Sequence, residues 1–343
     1  MTEASPDSNA EDRDEVIREW LKEVAGPSHR TAPASSDASF RRYLRVTARD
    51  QSFILMDAPP RHEDCRPFLH VQSLLKKAGV NVPAIVHADV ERGLLLLTDF
   101  GSVSYLDVLD SKSCDPLYAD ALETLLRMQT GVPAGAVEAF DRQKLSAELN
   151  LFPDWFINRH LGLAIDDAFR HRMRRCFDLL IDRCLEQPQV FVHRDYHSRN
   201  LMRLRERNPG VLDFQDAVTG PVTYDLVSLF RDVYIEWPRE KVEAWVADYY
   251  ARARGALDAL APAELSTFRR WFDLTGVQRH IKIAGIFCRL WHRDGKPGYL
   301  KDVPLTLRYL MTVGSGYAET AEFVGALGEL EIEKRFAAVE GPG

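Results

Sequence analysis

The spacing of apolar residues divides the chain into a first part with strand-like runs and a second part with helical repeats. Residues 14–25 predict an amphipathic helix that ends at Gly26 and Pro27. Residues 26–39 are rich in Pro, Ser and Ala and predict a loop. A second helical pattern covers residues 64–78. The strand-like runs lie around it and predict a small antiparallel sheet; they cover residues 40–47, 52–57, 84–90 and 93–98.

After residue 101 the pattern becomes mostly helical, with one break. The helical stretches cover residues 118–129, 144–161 and 167–186, and they resume at residue 223. The break contains a strand-like run at 190–192, a polar loop at 193–200, and two runs at 201–204 and 211–213. We expect the last two runs to pair as a hairpin, because Asn208-Pro209-Gly210 between them is a turn sequence.

These patterns predict an α+β protein with two lobes. We expect a disordered acidic tail over residues 1–13, an N-terminal sheet lobe with one inserted helix over residues 14–101, and a larger, mostly helical C-terminal lobe over residues 102–343.

Composition and charge narrow the classes of partner. Lys and Arg number 44 against 51 Asp and Glu, and the net charge of -7 argues against nonspecific nucleic-acid binding. Apolar stretches such as residues 94–97 are far shorter than the roughly 20 residues that a membrane-spanning helix needs, and the N-terminus lacks a signal-peptide pattern. The five cysteines form no C-x-x-C pair, which indicates reduced, mostly buried thiols. We therefore expect a cytoplasmic monomer that binds neither nucleic acid nor membranes.

The polar loop at 193–200 carries the candidate chemistry. It matches the pattern H-R-D-x-x-x-x-N of kinase catalytic loops, and Asp213-Phe214 follows the predicted hairpin, which would bring Asp213 near Asn200 and Asp195. Magnesium prefers carboxylate and amide oxygens, so Asn200 and Asp213 are candidate ligands. An attacking hydroxyl must be oriented and must lose its proton, and Asp195 is the candidate base. The alternative is that these Asp residues only stabilise turns.

Five segments of the chain are similar to segments of known proteins: FILMDAPP (53–60), DCRPF (64–68), LLTDFG (96–101), HRDYHSRN (193–200) and DFQDA (213–217). With them the chain resembles the aminoglycoside phosphotransferase and choline kinase-like family, which has the two-lobed protein kinase fold. Within that family it is most similar to the bacterial cell-wall amino-sugar anomeric kinases. The resemblance implies ATP and Mg²⁺ as cofactors. It also implies transfer of the γ-phosphate to the C1 hydroxyl of N-acetylmuramate or N-acetylglucosamine, in peptidoglycan recycling.

The resemblance further implies that Thr98, Asp99 and Phe100 bind the adenine between the lobes, although a plain linker is the alternative. Candidate acceptor-binding residues are spread over the second lobe. They are Glu148, His197, Arg199, Gln215 and Arg279. Glu148 could equally be a surface glutamate, and a solvated helix face is the favoured interpretation of the basic run at 278–282.

The chain departs from protein kinases in the residues that should contact the phosphates. Met56 stands near the position of the kinase lysine, and no G-x-G-x-x-G loop precedes it, so residues 35–39 would have to cover the phosphates. Arg41, Arg42 and Arg45 are the candidate cations, with a solvent-exposed strand edge as the alternative. We favour Arg42, because its strand face continues as an apolar face that we expect to turn toward the cleft. Gln215 replaces the glycine after Asp213-Phe214, which argues against a switching activation segment.

Two other functions remain open at this point. An aminoglycoside or choline-type kinase would need an acidic acceptor pocket, and His197, Arg199 and Arg279 argue against one. A pseudokinase acting as a binding module would explain the missing lysine. It has no chemical need for Asp195, Asn200 and Asp213 together.

Overall fold

The computed structural model describes residues 6–36 and 40–339. Its N-terminal lobe is a five-stranded antiparallel sheet with strand order β1-β2-β3-β5-β4 and two helices. The strands are β1 (Arg30–Ser36), β2 (Arg42–Ala48), β3 (Gln51–Asp57), β4 (Ile85–Asp89) and β5 (Leu94–Thr98), and the helices are α1 (Pro6–Val24) and α2 (Arg66–Lys77).

Both faces of this sheet are apolar and buried. On one face, Val46, Leu55 and Leu96 pack against α1 through Ile17 and Trp20 and form a small separate core. On the other face, residues such as Met56, Leu95 and Leu97 join the main core, which continues into the second lobe. Because neighbouring residues of a strand point to opposite faces, the two cores use alternate positions of β2, β3 and β5.

The C-terminal lobe is mostly helical. Helix α4 continues directly into a π-helical segment at Phe152–His160, and short 3-10 segments lie at Asp258–Leu260 and Pro297–Asp302. The α-helices are α3 (Cys114–Gly131), α4 (Arg142–Leu151), α5 (Asp167–Leu185), α6 (Tyr224–Phe230), α7 (Arg239–Ala256), α8 (Leu265–Asp294), α9 (Val303–Gly314), α10 (Ala318–Glu329) and α11 (Ile332–Val339).

Helix α8 is the centre of this lobe, because α4, α5, α6, α9 and the π-helical segment all pack around its 30 residues. None of the helices in the described ranges is long and apolar enough to cross a membrane. The five cysteines are buried, as predicted.

Two short strand pairs interrupt the helices and position the polar loop at 193–200. Strand β6 (Gln189–Val192) pairs with β9 (Val218–Pro221), and β7 (Leu201–Met202) pairs with β8 (Gly210–Val211). The predicted hairpin is therefore confirmed, with Leu201 opposite Val211. The predicted α+β class, a small antiparallel lobe with an inserted helix before a larger helical lobe, is confirmed as well.

The structure departs from the predicted elements in three places. Residues 6–13, predicted as part of a disordered tail, belong to α1, and residues 1–5 lie outside the described ranges. Residues 30–36, predicted as loop, form β1, an edge strand whose register shifts between Pro33 and Ser35. An edge position tolerates proline, because the missing N–H is not needed for pairing on the open side. The short strand β9 was not predicted, since Gly220 and Pro221 are unfavourable strand residues.

Candidate active site

The hairpin of β7 and β8 brings together the three residues on which the chemistry was predicted to depend. Asn200 donates from Nδ2 to the backbone oxygen of Asp195 at 3.0 Å and to Oδ2 of Asp213 at 3.3 Å. The backbone N–H of Leu212, next to Asp213, donates to the Asn200 carbonyl at 2.9 Å. All three side chains line one cleft between the lobes.

Asp225, in the first turn of α6, anchors the polar loop at 193–200. This fully buried carboxylate accepts the backbone N–H of His193 at 2.7 Å and that of Arg194 at 3.0 Å. Arg194 has a φ of 77°, a left-handed conformation that costs a non-glycine residue free energy. The two hydrogen bonds therefore hold the loop in a shape that it would not adopt by itself.

His193 holds the loop to the hairpin. Its Nε2 lies 2.9 Å from the Leu212 carbonyl, and its Nδ1 faces the backbone N–H of Asp195 at 3.3 Å. Burial lowers the pKa of His193 to about 4, so the imidazole is neutral near pH 7. The two contacts then assign the tautomer with the proton on Nε2.

Replacing Asp225 with alanine should destabilise the protein, because two buried backbone N–H groups lose their acceptor. Each unsatisfied buried donor costs about 1–3 kcal/mol. We expect a clear drop in the free energy of unfolding measured with urea, and a smaller drop for Asp225→Asn, which keeps one oxygen. An unchanged urea midpoint in the alanine variant would contradict the anchoring role.

Asp195 is ionised and faces the cleft with 42% of its side chain exposed. Burial alone would raise its pKa, but nearby positive charges, Lys282 and Arg279 among them, outweigh burial and lower the pKa to about 2. Arg279 Nη2 lies 3.8 Å from Asp195 Oδ1. The carboxylate is thus available as a hydrogen-bond acceptor at any physiological pH.

The residues beneath Asp195 form a buried ionic cluster, defined as Glu148, Arg194, Tyr224 and Lys282. Lys282 Nζ lies 3.0 Å from Glu148 Oε1 and donates to the Tyr224 hydroxyl at 3.0 Å, and Arg194 pairs with the same Glu148 oxygen. Burial would raise the pKa of Glu148, but Lys282 and Arg194 lower it. Glu148 therefore carries a single negative charge that pairs with both cations, Arg194 and Lys282.

Two predictions about this region need correction. Glu148 was predicted to bind sugar hydroxyls or to lie on the surface, but it is 8% exposed and is not among the cleft-lining residues. The basic run at 278–282 was predicted to be a solvated helix face, but Gln278, Arg279, His280 and Lys282 are buried. The reason is the central position of α8, which other helices cover on several sides.

The cleft has a volume of about 570 Å³. Tyr43, Ile54 and Leu97 line it from the sheet; Thr98, Asp99 and Phe100 line it between the lobes; His197, Arg199, Tyr234 and Tyr299 line it from the helical lobe. The segment predicted to bind adenine therefore lies at the cleft. Asp99 is fixed there by Arg45, whose Nε donates to Oδ2 at 2.7 Å.

The structure contradicts the expected orientation of Arg42. Arg42 donates to Asp57 at 2.7 Å and to Asp14 of α1 at 2.9 Å, so it lies on the face of the sheet that packs against α1. The apolar face that includes Val46 is covered by α1 and does not turn toward the cleft. Arg45, on the alternate face, is the β2 arginine that lines the cleft.

The structure also locates the other residues that were predicted to lie near the phosphates, except for residues 37–39. Arg41 precedes β2 and pairs with Glu63 at 3.0 Å. Met56, which stands near the position of the kinase lysine, is fully buried and lies opposite Tyr43 in the sheet. Of the predicted covering loop 35–39, residues 35 and 36 end β1, and residues 37–39 lie outside the described ranges.

Alanine substitutions separate the two faces of β2. We expect Arg45→Ala to raise the KM for ATP severalfold, because Asp99 loses its partner beside the predicted adenine segment. Arg42→Ala should leave that KM nearly unchanged and lower stability by about 1 kcal/mol, a typical cost for a partly exposed ion pair. Initial rates at varied ATP and thermal unfolding measure both effects. A larger KM change in Arg42→Ala would show that the faces are assigned incorrectly.

Gln215 lies beside the candidate metal ligand and not on the cleft surface. Gln215 Nε2 donates to Asp213 Oδ1 at 2.8 Å, and Gln215 is 7% exposed. Asp213 itself has a φ of 62°, and Phe214 packs on Phe68 of α2 with ring centroids 4.8 Å apart. Gln215 and Phe214 thus fix the Asp213 carboxylate. Gln215 had instead been predicted to bind the acceptor.

Sequence reasoning missed several residues of the site. Asp232, just after α6, is fully buried and accepts the backbone N–H of Ser198 at 3.0 Å. Tyr234 and Tyr299 line the cleft together with Arg199, and Asp302 Oδ2 lies 3.9 Å from Arg199 Nη2. The available signal for Asp232 was weak: it follows the apolar residues of α6, where an acidic residue needs a specific partner.

Several known proteins are similar to this chain in sequence. The family model described as the phosphotransferase enzyme family matches residues 30–263. A protein from Pseudomonas aeruginosa named N-acetylmuramate/N-acetylglucosamine kinase is 51% identical over 304 residues, which cover 89% of this chain and 88% of that protein. A protein of the same name from Neisseria meningitidis is 43% identical over 312 residues, covering 88% and 92% of the two chains.

Solved structures with much lower sequence identity share the fold. The ADP-bound aminoglycoside phosphotransferase APH(2'')-Ib has a TM-score of 0.57 at 14% identity, covering 86% of this chain and 97% of that one. The choline kinase LicA from Streptococcus pneumoniae has a TM-score of 0.58 at 12% identity, with coverages of 88% and 99%.

These findings confirm the resemblance that the motifs indicated. The family model spans more than half of the chain. The two relatives named as kinases match this chain over 88% and 92% of their own length. The protein is an ATP-dependent phosphotransferase, and the chain belongs to the phosphotransferase enzyme family.

Proposed function

We propose that this enzyme transfers the γ-phosphoryl group of ATP to the anomeric C1 hydroxyl of N-acetylmuramate or N-acetylglucosamine and releases the sugar 1-phosphate. One observation carries the proposal. This chain is 51% identical to a kinase named for these two sugars, and its residues Asp195, Asn200 and Asp213 lie together at one cleft. In this proposal the enzyme acts as a monomer in the cytoplasm, on amino sugars recovered from peptidoglycan.

The nucleotide is assigned to the N-terminal lobe, residues 14–101, and the catalytic loop and acceptor to residues 102–343. The apolar side chains of Ile54 and Leu97 form a surface for the adenine beside the segment that begins at Thr98. Asn200 and Asp213 fit a magnesium ion, because they offer an amide and a carboxylate oxygen within one hydrogen-bonded pair. When bound, Mg²⁺ would neutralise charge on the phosphate oxygens.

Asp195 orients the acceptor hydroxyl and receives its proton as the new oxygen–phosphorus bond forms and the bond to ADP breaks. A carboxylate with so low a pKa is a weak base, so the proton moves late, when the attacking oxygen has already lost electron density to phosphorus. An anomeric hydroxyl is a hemiacetal and more acidic than an ordinary alcohol. This difference supports C1 as the acceptor position for such a base.

The carboxylates that line the cleft already have other roles. Among the described cleft residues, Asp99 is paired with Arg45, and Asp107 accepts the Ser104 backbone N–H at 2.7 Å. The remaining carboxylates, Asp195 and Asp213, belong to the proposed chemistry. Among the residues that line the cleft, an aminoglycoside or choline would find no acidic side chain outside these roles, which favours the amino sugar. A binding module without activity would not need Asp195, Asn200 and Asp213 in contact.

An acceptor panel tests the proposal. The full-length enzyme is incubated with MgATP and, separately, with N-acetylmuramate, N-acetylglucosamine, choline and several aminoglycosides, and ADP release is measured. We expect turnover with the two amino sugars only. ADP release that depends on choline or on an aminoglycoside would contradict the proposal, and so would the absence of turnover with either sugar.

A further inference from the structure

Arg199 is an arginine held rigidly at the edge of the cleft. Its guanidinium carbon lies 3.5 Å from the centre of the Tyr234 ring, and the stack fixes the plane of the guanidinium group. The side chain is 37% exposed and lines the cleft together with His197 and Tyr299. Its position is therefore preorganised while its N–H groups remain accessible.

The hydrogen-bonding capacity of Arg199 is not used within the described part of the chain. The nearest carboxylate oxygen, Oδ2 of Asp302, lies 3.9 Å from Nη2, which is beyond hydrogen-bond distance. The other arginine at the cleft, Arg45, differs: it donates to Asp99 at 2.7 Å and to the Gly101 carbonyl at 2.9 Å. A planar guanidinium with unused donors is suited to a carboxylate or a phosphate.

The side chain of Arg199 turns away from the proposed metal site. Its neighbour Asn200 points to Asp213, whereas Arg199 packs on Tyr234, which follows α6. Asp302 ends the 3-10 turn that also contributes Tyr299 to the cleft. Arg199 therefore borders the acceptor end of the cleft, surrounded by residues of the helical lobe.

The two sugars of the proposed function differ at one substituent. N-acetylmuramate carries a carboxylate on an ether side chain, and N-acetylglucosamine has a hydroxyl at that position. We propose that Arg199, fixed on Tyr234, binds the carboxylate of the anionic sugar and determines how strongly the enzyme prefers it over the neutral one. This inference rests on the proposed function and adds the residue that sets its specificity.

Asp302 leaves the accessible N–H groups of Arg199 to the sugar. Its side chain is 13% exposed and its Oδ2 is buried without a hydrogen-bond partner among the described residues, so the sugar does not reach this oxygen. Because Arg199 Nη2 lies 3.9 Å from that oxygen, Arg199 donates no hydrogen bond to Asp302 either.

The test compares wild type with Arg199→Gln and Arg199→Lys on three acceptors: N-acetylmuramate, its neutral carboxamide, and N-acetylglucosamine. Sugar affinity is measured by calorimetry in the presence of a non-hydrolysable ATP analogue, and kcat/KM by ADP release. Arg205→Gln removes the same charge from an exposed turn and is the control. Thermal unfolding checks that each variant is folded.

We expect Arg199→Gln to weaken binding of N-acetylmuramate about ten- to a hundredfold, the usual range for a lost hydrogen-bonded charge pair. Binding of N-acetylglucosamine should change less than about threefold. Wild type should prefer the acid to the carboxamide, Arg199→Gln should lose that preference, and Arg199→Lys should retain part of it. Arg205→Gln should resemble wild type.

Other outcomes overturn the inference in distinguishable ways. Equal losses for all three acceptors, with a raised KM for ATP, would place Arg199 at the phosphates. No loss for any acceptor would show that the sugar carboxylate binds elsewhere. If wild type itself fails to use either sugar, the proposed function fails, whereas normal wild-type turnover with equal effects on both sugars refutes only the role of Arg199.

Discussion

Asp195→Asn is expected to reduce turnover by about a hundred- to ten-thousandfold, the usual cost of losing a general base. The amide keeps the size of the carboxylate but cannot accept the proton of the attacking hydroxyl. Affinity for MgATP should remain nearly intact, because the proposed metal ligands Asn200 and Asp213 are unchanged. Steady-state rates and nucleotide titration measure the two effects separately.

Asp107→Asn is the matched control for this variant. Asp107 also lines the cleft, but its carboxylate accepts hydrogen bonds from Ser104 and has no role in the proposed chemistry. Its variant should retain most of the turnover. Activity near the wild-type level in Asp195→Asn would remove the central residue from the mechanism.

Asp213→Ala should weaken magnesium-dependent nucleotide binding, because it removes the carboxylate that is proposed to bind the ion. Substitutions in the surroundings of a bound metal already reduce its affinity about ten- to a hundredfold, and loss of a ligand should cost at least as much. The measurement is a titration of ATP with and without magnesium, in wild type and variant. It reports binding and does not depend on turnover.

Asp216→Ala provides the control for Asp213→Ala. Asp216 lies three residues further along the same segment and is exposed. In that variant magnesium should strengthen nucleotide binding as in wild type. If magnesium strengthens binding equally in Asp213→Ala, Asp213 is not a ligand.

The hairpin of β7 and β8 could be predicted because its determinants are local. The motif at 193–200, the turn sequence at 208–210 and the position of Asp213 all lie within about twenty residues, and the turn lets the two flanking apolar runs pair. The same local reasoning located β2, β3, β4 and β5, since each is a short apolar run bounded by turn residues.

The orientation of Arg42 could not be predicted in this way. Apolar alternation shows that one face of β2 is buried but not what covers it, and here α1 covers the face that Arg42 shares with Val46. A sheet with cores on both sides gives no sequence signal for the face that borders the cleft.

The buried charges of the second lobe were hidden for a related reason. Arg279 and Lys282 lie in a run of charged and polar residues that is typical of a solvated helix face, yet tertiary contacts surround α8. Their partners, Asp195 and Glu148, are distant in sequence. Pairing between such positions is a property of the packed structure and is not visible in residue spacing.

Product analysis after incubation with MgATP and N-acetylmuramate or N-acetylglucosamine tests the central claim most directly. The sugar phosphate is examined by phosphorus–proton correlation NMR and by an assay for the reducing end. A C1 kinase produces a phosphate coupled to the anomeric proton and a product without a reducing end. A phosphate coupled to the protons of carbon 6, with the reducing end intact, would contradict the account.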